Sequence, residues 1–351
     1  MNTGTADRGE LLPSTEGRGT RRATPPYNAL VHSFALALAG WAFLVVCLGG
    51  TVKSREAGLT IPQPLYYQWH YDWLFVQNLN TEYIHRALVP ILTVLTLIVV
   101  ALVLFYDTRS SVKKLAAFLV VGLFAQAFLG YLTVKYFAHA QTSIPHAVLG
   151  QTFFCLAVSM AVVTSRMWLS DKPAVPSEKS PSLVRLGVYC VAAVGVQLLL
   201  GAALRHDDQG AALRNGRSFV FVWHLVAHIC GALAVVHFVV KLLIRVFRQH
   251  REQPEILKPV RMLMMLLGAQ FLLGPGAATL KVLTLDSYNM PPLERVVVAT
   301  AHLAVGALIL ACCVVTALRA YRFTVPVLSA QAAGRASSGD SGGGELLRAT
   351  A

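Results

Sequence analysis

Residues 82–106 read EYIHRALVPILTVLTLIVVALVLFY, and positions 87–106 carry no charge. An apolar run of about 20 residues, rising about 1.5 Å per residue as a helix, spans the roughly 30 Å hydrocarbon core of a bilayer. The unusual feature is the crowd of polar groups at its start, Glu82, His85 and Arg86. Polar side chains are costly in lipid and normally face a bundle interior or a ligand.

The pattern recurs along the chain. Of 351 residues, 55% are hydrophobic and 13% charged, and the mean hydropathy is +0.57, which excludes an ordinary soluble domain. Stretches at about 30–51, 82–106, 115–134, 145–169, 183–204, 219–244, 260–281 and 295–318 are long and apolar enough to cross a membrane. The expected fold class is an all-α integral membrane protein with eight transmembrane helices as two tandem four-helix bundles. The even count puts both ends on one side. A first span that begins after about 28 polar residues reads as a permanent helix, not a cleaved leader.

The formal charge of +13 follows topology. Most Lys and Arg fall in the two tails and the even-numbered loops, including Arg18, Arg21, Arg22, Lys113, Lys114, Arg245, Arg248, Arg251 and Arg322. Basic residues concentrate on the cytoplasmic side, so both termini are expected there, in a bacterial cytoplasmic membrane in preference to a mitochondrial inner membrane. The charges form no aromatic-interleaved patch, and no nucleic-acid partner is expected. Cys47, Cys155, Cys190, Cys230, Cys312 and Cys313 all lie within expected spans, where cysteine behaves as a small hydrophobe.

An internal repeat divides the chain. The third, fifth and seventh helices end in Gln126-Ala127-Phe128-Leu129-Gly130, Gln197-Leu198-Leu199-Leu200-Gly201 and Gln270-Phe271-Leu272-Leu273-Gly274, and the first ends in Val45-Val46-Cys47-Leu48-Gly49. A basic residue follows each: Lys53, Lys135, Arg205 and Lys281. The even helices are matched by His85, His146, His224 and His302, all near the external start of their spans. The expected organisation is a disordered cytoplasmic tail (1–28), an N-terminal four-helix unit (29–169), a cytoplasmic linker (170–182), a C-terminal four-helix unit (183–320) and a second disordered tail (321–351).

A neutral imidazole is a strong iron ligand, and bundle cores build cofactor sites from side chains on facing helices. One histidine from each even helix gives two pairs, His85 with His146 and His224 with His302, each suited to a haem iron. His228, one turn after His224, is a competing ligand or supporting partner; His237 reads as structural, and His32, His139, His206 and His250 as solvated. Glu82 shares a helix face with His85 and could relay protons beside a bound cofactor. Arg86 could pair with a haem propionate.

The block Glu82-Tyr83-Ile84-His85-Arg86, the Gly49-Gly50-Thr51 end of the first helix, the loop stretch Gly58-Leu59-Thr60-Ile61-Pro62 and the segment 126–134 resemble the haem A synthase family. The likeness covers about residues 30–320. Members oxidise the C8 methyl of haem O to the formyl of haem A for terminal oxidases. The resemblance implies that His85 and His146 hold the substrate haem O, with Glu82 as the acid implicated in catalysis, and that His224 and His302 hold a haem b cofactor. It also implies a haem O synthase and cytochrome oxidase assembly proteins as partners, with a homo-oligomer as a further expectation. The His-Arg pair of the family's sixth helix stands here as His224-Leu225. The other class that the histidines suit is a membrane dihaem electron carrier or haem-binding assembly protein without methyl oxidation, which has no use for Glu82. Aromatic residues Tyr66, Tyr67, Trp69, Tyr71, Trp73 and Phe75 mark the first external loop as an interfacial cover.

Topology reporters test the orientation. A fluorescent protein at the C-terminus should fold and fluoresce, and alkaline phosphatase fused within residues 55–80 should be active; the inverse pattern would overturn the assignment.

Overall fold

A computed structural model describes residues 26–54, 81–136, 139–177, 182–206, 218–284 and 292–326. Residues 1–25 and 327–351 of the expected tails (1–28 and 321–351) and the aromatic loop cluster lie outside the described residues. Eight helices are long and apolar enough to cross a membrane. They are α1 (Ala29–Ser54), α2 (Thr81–Tyr106), α3 (Ser110–Lys135), α4 (Ala140–Val163), α5 (Leu183–His206), α6 (Ser218–Gln249), α7 (Pro254–Leu283) and α8 (Leu293–Phe323), with short strands β1 (Val175–Ser177) and β2 (Thr324–Pro326). The protein is a multi-pass membrane protein.

Packing separates two cores. The first joins α1 to α4 through Leu38, Val99, Leu119 and Met160, and the second joins α5 to α8 through Leu186, Val239, Leu242, Leu263 and Cys313. Helices α1, α4, α5 and α8 form the seam, to which α8 contributes Ala307 and Ala311 on the first core and α4 contributes Cys155 on the second. Small residues dominate there because apolar helices in lipid associate by close packing, not by escape from water. Ala35, Ala39 and Ala42 line the buried face of α1. At Gly187 of α5 a Cβ would stand 3.0 Å from the Cα of Ala317 on α8, so only glycine permits this approach.

The α4 span ends at Val163, earlier than the expected 169. Hydroxyls take up carbonyls at this end: Thr164 Oγ1 donates to the Met160 carbonyl at 2.8 Å and Ser165 Oγ to Val162 at 2.7 Å. The linker then pairs with the chain beyond α8, since β1 and β2 form a parallel pair, Val175 with Thr324 and Ser177 with Pro326. Arg322 donates to the carbonyls of Trp168 and Ser170, at 3.1 and 2.6 Å, and Lys172 pairs with Glu255 of α7. Ordered chain therefore reaches Pro326, past the expected start of the tail at 321.

His250, expected to be solvated, is buried at 2% exposure in the α6–α7 turn. Its Nδ1 stands 3.1 Å from Gln253 Oε1, and its Nε2 is buried without a partner. Burial lowers its pKa below the usual 6.5, helped by nearby Arg245 and opposed by the Gln253 bond. The folded state thus disfavours protonation. Its contribution to stability is present above the unfolded pKa of 6.5 and is lost as pH falls below that value toward the depressed folded pKa. Thermal unfolding in detergent should show a midpoint that drops between about pH 7 and 5, with a smaller drop in His250→Gln; an equal drop in both would remove His250 as a source.

Candidate haem site

The repeated motif becomes a repeated contact. A Cβ on Gly49 of α1 would lie 3.1 Å from the His85 ring, one on Gly130 of α3 3.2 Å from His146, one on Gly201 of α5 3.0 Å from His228, and one on Gly274 of α7 3.4 Å from His302. Each imidazole edge occupies the space that a side chain on the preceding helix would fill. The glutamine one turn before the glycine fixes the register: Nε2 of Gln126, Gln197 and Gln270 donates to the backbone carbonyls of His146, His228 and His302 at 3.1, 2.9 and 3.2 Å. A glycine on the even helix faces each amide, and at Gly150 and Gly231 a side chain would crowd it. A Cβ at Gly150 would come within 3.0 Å of Gln126 Nε2 and one at Gly306 within 3.5 Å of Gln270 Nε2, while one at Gly231 would collide with Gln197 Oε1. In the first helix pair, Val45 stands where the others have Gln, and Val89 stands where the partner would have Gly. Both members of the lock change together.

This alignment bears on the expected ligands. His85, His146 and His302 occupy equivalent places, and the fourth is filled by His228, not by the expected His224. The rings of His228 and His302 have centroids 6.3 Å apart at an interplanar angle of 72°. His224 lies one turn further along α6 toward its start, half-buried. The glycine that follows each ligand by about one turn, Gly150, Gly231 and Gly306, is the signal in the sequence that singles out His228. His85 and His146 lie within electrostatic range of each other in the N-terminal unit.

Glu82 is buried at 6% exposure and pairs with Arg86 one turn on. Arg86, expected on a propionate, stands beside Glu82 on the same face of α2. The remaining histidines have local roles: His139 caps α4 by accepting from the Gln141 amide, His32 Nδ1 meets Thr164 Oγ1 at 3.3 Å, His206 Nδ1 meets the Ala202 carbonyl at 2.9 Å, and His237 is exposed on α6 with its ring edge against Phe238.

The donor set fits a haem. Metal–imidazole bonds are about 2 Å, so two rings on opposite sides of one metal atom have centroids about 6 Å apart, close to the observed separation. Among the described residues no three His, Cys, Asp or Glu side chains converge as a metal site. Paired imidazoles therefore suit a metal whose remaining ligands arrive with a macrocycle. Nδ1 of His85, His146 and His302 is buried without a hydrogen-bond partner, a costly arrangement in an apolar setting unless the ring is held for a ligand.

Eight spans, four of which carry a histidine against a glycine of the preceding helix, define a multi-pass membrane protein. Residues 74–220, which include Glu82, His85, Arg86 and His146, match the family COX15-CtaA, described as cytochrome oxidase assembly protein. The match is a likeness over less than half of the chain, and it supports a role in cytochrome oxidase assembly. No curated protein matches the chain.

The lock between Gln126 and Gly150 is testable. Gly150→Val should destabilise the N-terminal unit by about 1–3 kcal/mol through overpacking, and Gln126→Val in the same chain, which copies Val45 and Val89, should recover most of the loss of thermal midpoint. A double variant no better than the single one would refute the pairing.

Proposed function

We propose that this protein is a haem A synthase-like oxidoreductase that converts the C8 methyl of haem O to the formyl of haem A. In this reading the N-terminal unit holds the substrate between His85 and His146. The C-terminal unit holds haem b between His228 and His302, and His228 takes the place first expected of His224. One observation carries the assignment of roles. Three residues before each ligand stand Glu82, Ser143, Leu225 and Ala299, so a carboxylate accompanies only His85.

The haem b would supply one-electron chemistry, and the protein supplies the rest. The glycine contacts leave each imidazole little freedom, so the substrate ring has a defined plane and depth. The glutamine bonds fix the helix register on which that depth depends. Glu82, held by Arg86 one turn from His85, is placed to take a proton lost from the oxidised carbon substituent. The supposed setting is a bacterial cytoplasmic membrane with both termini inside, near a haem O synthase and the oxidase under assembly.

Co-expression with a haem O synthase, followed by chromatography of extracted haems, tests this. The wild-type chain should accumulate haem A. Glu82→Gln should cut haem A formation by about 10²–10⁴-fold, the usual weight of a general acid–base group, while haem O still co-purifies; His85→Leu should lose both. If the wild-type chain retains haem but never forms haem A, it is a dihaem carrier.

A further inference from the structure

The basic residues that close each repeat do not behave alike. Lys135 at the end of α3 is exposed, with Nζ 5.9 and 5.6 Å from the ring centroids of Tyr131 and Tyr136. Arg205 at the end of α5 turns into the seam. Its Nη2 donates to the Gly50 carbonyl at 2.6 Å and to Ser54 Oγ at 2.5 Å, both on α1, and its Nη1 reaches the Ala299 carbonyl of α8 at 3.5 Å. Ser54 Oγ in turn lies 3.3 Å from Thr300 Oγ1. Three helices thus hold one guanidinium, and every partner it has among the described residues is neutral.

Other cations gather at this point. Lys281 Nζ donates to the Leu204 carbonyl at 3.3 Å, and Lys53, Arg205 and Lys281 all act electrostatically on His206. Arg205 also acts on His302. It follows Gly201, the cradle of His228, by four residues, roughly 6 Å along the helix. A guanidinium has five donors in a planar fork that matches carboxylate. Withdrawn from water without a counter-charge it is costly; beside a dianionic ligand the cost becomes attraction.

We propose that Arg205, supported by Lys53 and Lys281, anchors the ring carboxylates of the haem held by His228 and His302, at the seam where α1 meets the C-terminal unit. This rests on the haem reading of that histidine pair. Lys135, the equivalent residue of the N-terminal unit, does not turn into the seam in this way. Because the same guanidinium binds the backbone of α1, loading the C-terminal site also ties the two units together.

The test uses the full chain carrying His85→Ala and His146→Ala, so that only the C-terminal pair ligates, purified in detergent and stripped of haem. It is titrated with haem b and with haem b dimethyl ester, which keeps the iron and ring but removes both charges. The bis-imidazole absorption spectrum reports binding. The parent should prefer the free acid by about tenfold or more. Arg205→Met should bring that ratio close to one while leaving ester affinity and spectrum unchanged, which separates lost anchoring from misfolding; Arg205→Lys should keep part of the preference. A parent that binds acid and ester equally, or a preference that survives Arg205→Met, overturns the anchor but leaves the haem reading standing. Failure of the parent to bind either porphyrin overturns both.

Discussion

Four imidazoles in this bundle, those of His85, His146, His228 and His302, each lie against a glycine on the preceding helix, and the spacing of the helix pairs depends on that contact. A side chain at Gly49, Gly130, Gly201 or Gly274 would take the room of a ring. Two apolar helices can approach this closely only where small residues face each other, so the ligand position and the helix spacing are set by the same residues. The glutamine bonds at Gln126, Gln197 and Gln270 then prevent the helices from sliding. A shift of one residue would move a histidine by about 100° around its helix and 1.5 Å along it, enough to spoil paired ligation.

On this shared scaffold the two units diverge through few substitutions. Val45 and Val89 replace the Gln–Gly lock beside His85, and there Trp41 Nε1 of α1 donates instead to the Leu88 carbonyl of α2 at 3.0 Å. Glu82 with Arg86 adds an ion pair beside His85 in the N-terminal unit. Arg205 adds an interhelical cation to the seam. An ion pair in an apolar bundle is weak evidence for stability, and in lipid it is a mark of function. The duplicated frame supplies two equivalent histidine pairs, and the charged residues distinguish one from the other.

At the opposite end of the helices the protein is held by different means. The β1–β2 pair and the Arg322 bonds link the middle of the chain to the end of α8, and Lys172 with Glu255 links it to α7.

The sequence by itself determined the number of spans, their repeat and the identity of three of the four ring positions. Hydropathy and short motifs are local properties, and a bilayer forces helices upon them. The role of the Gln–Gly motif was visible as a pattern, but not as a hydrogen bond to the carbonyl of a histidine on the next helix. The choice of His228 over His224, the pairing of Arg86 with Glu82 and the turning of Arg205 into the seam were decided only by tertiary structure. All three depend on helix rotation and on what faces a side chain across a gap, and neighbouring positions on one turn, four residues apart, look alike until a partner helix selects between them.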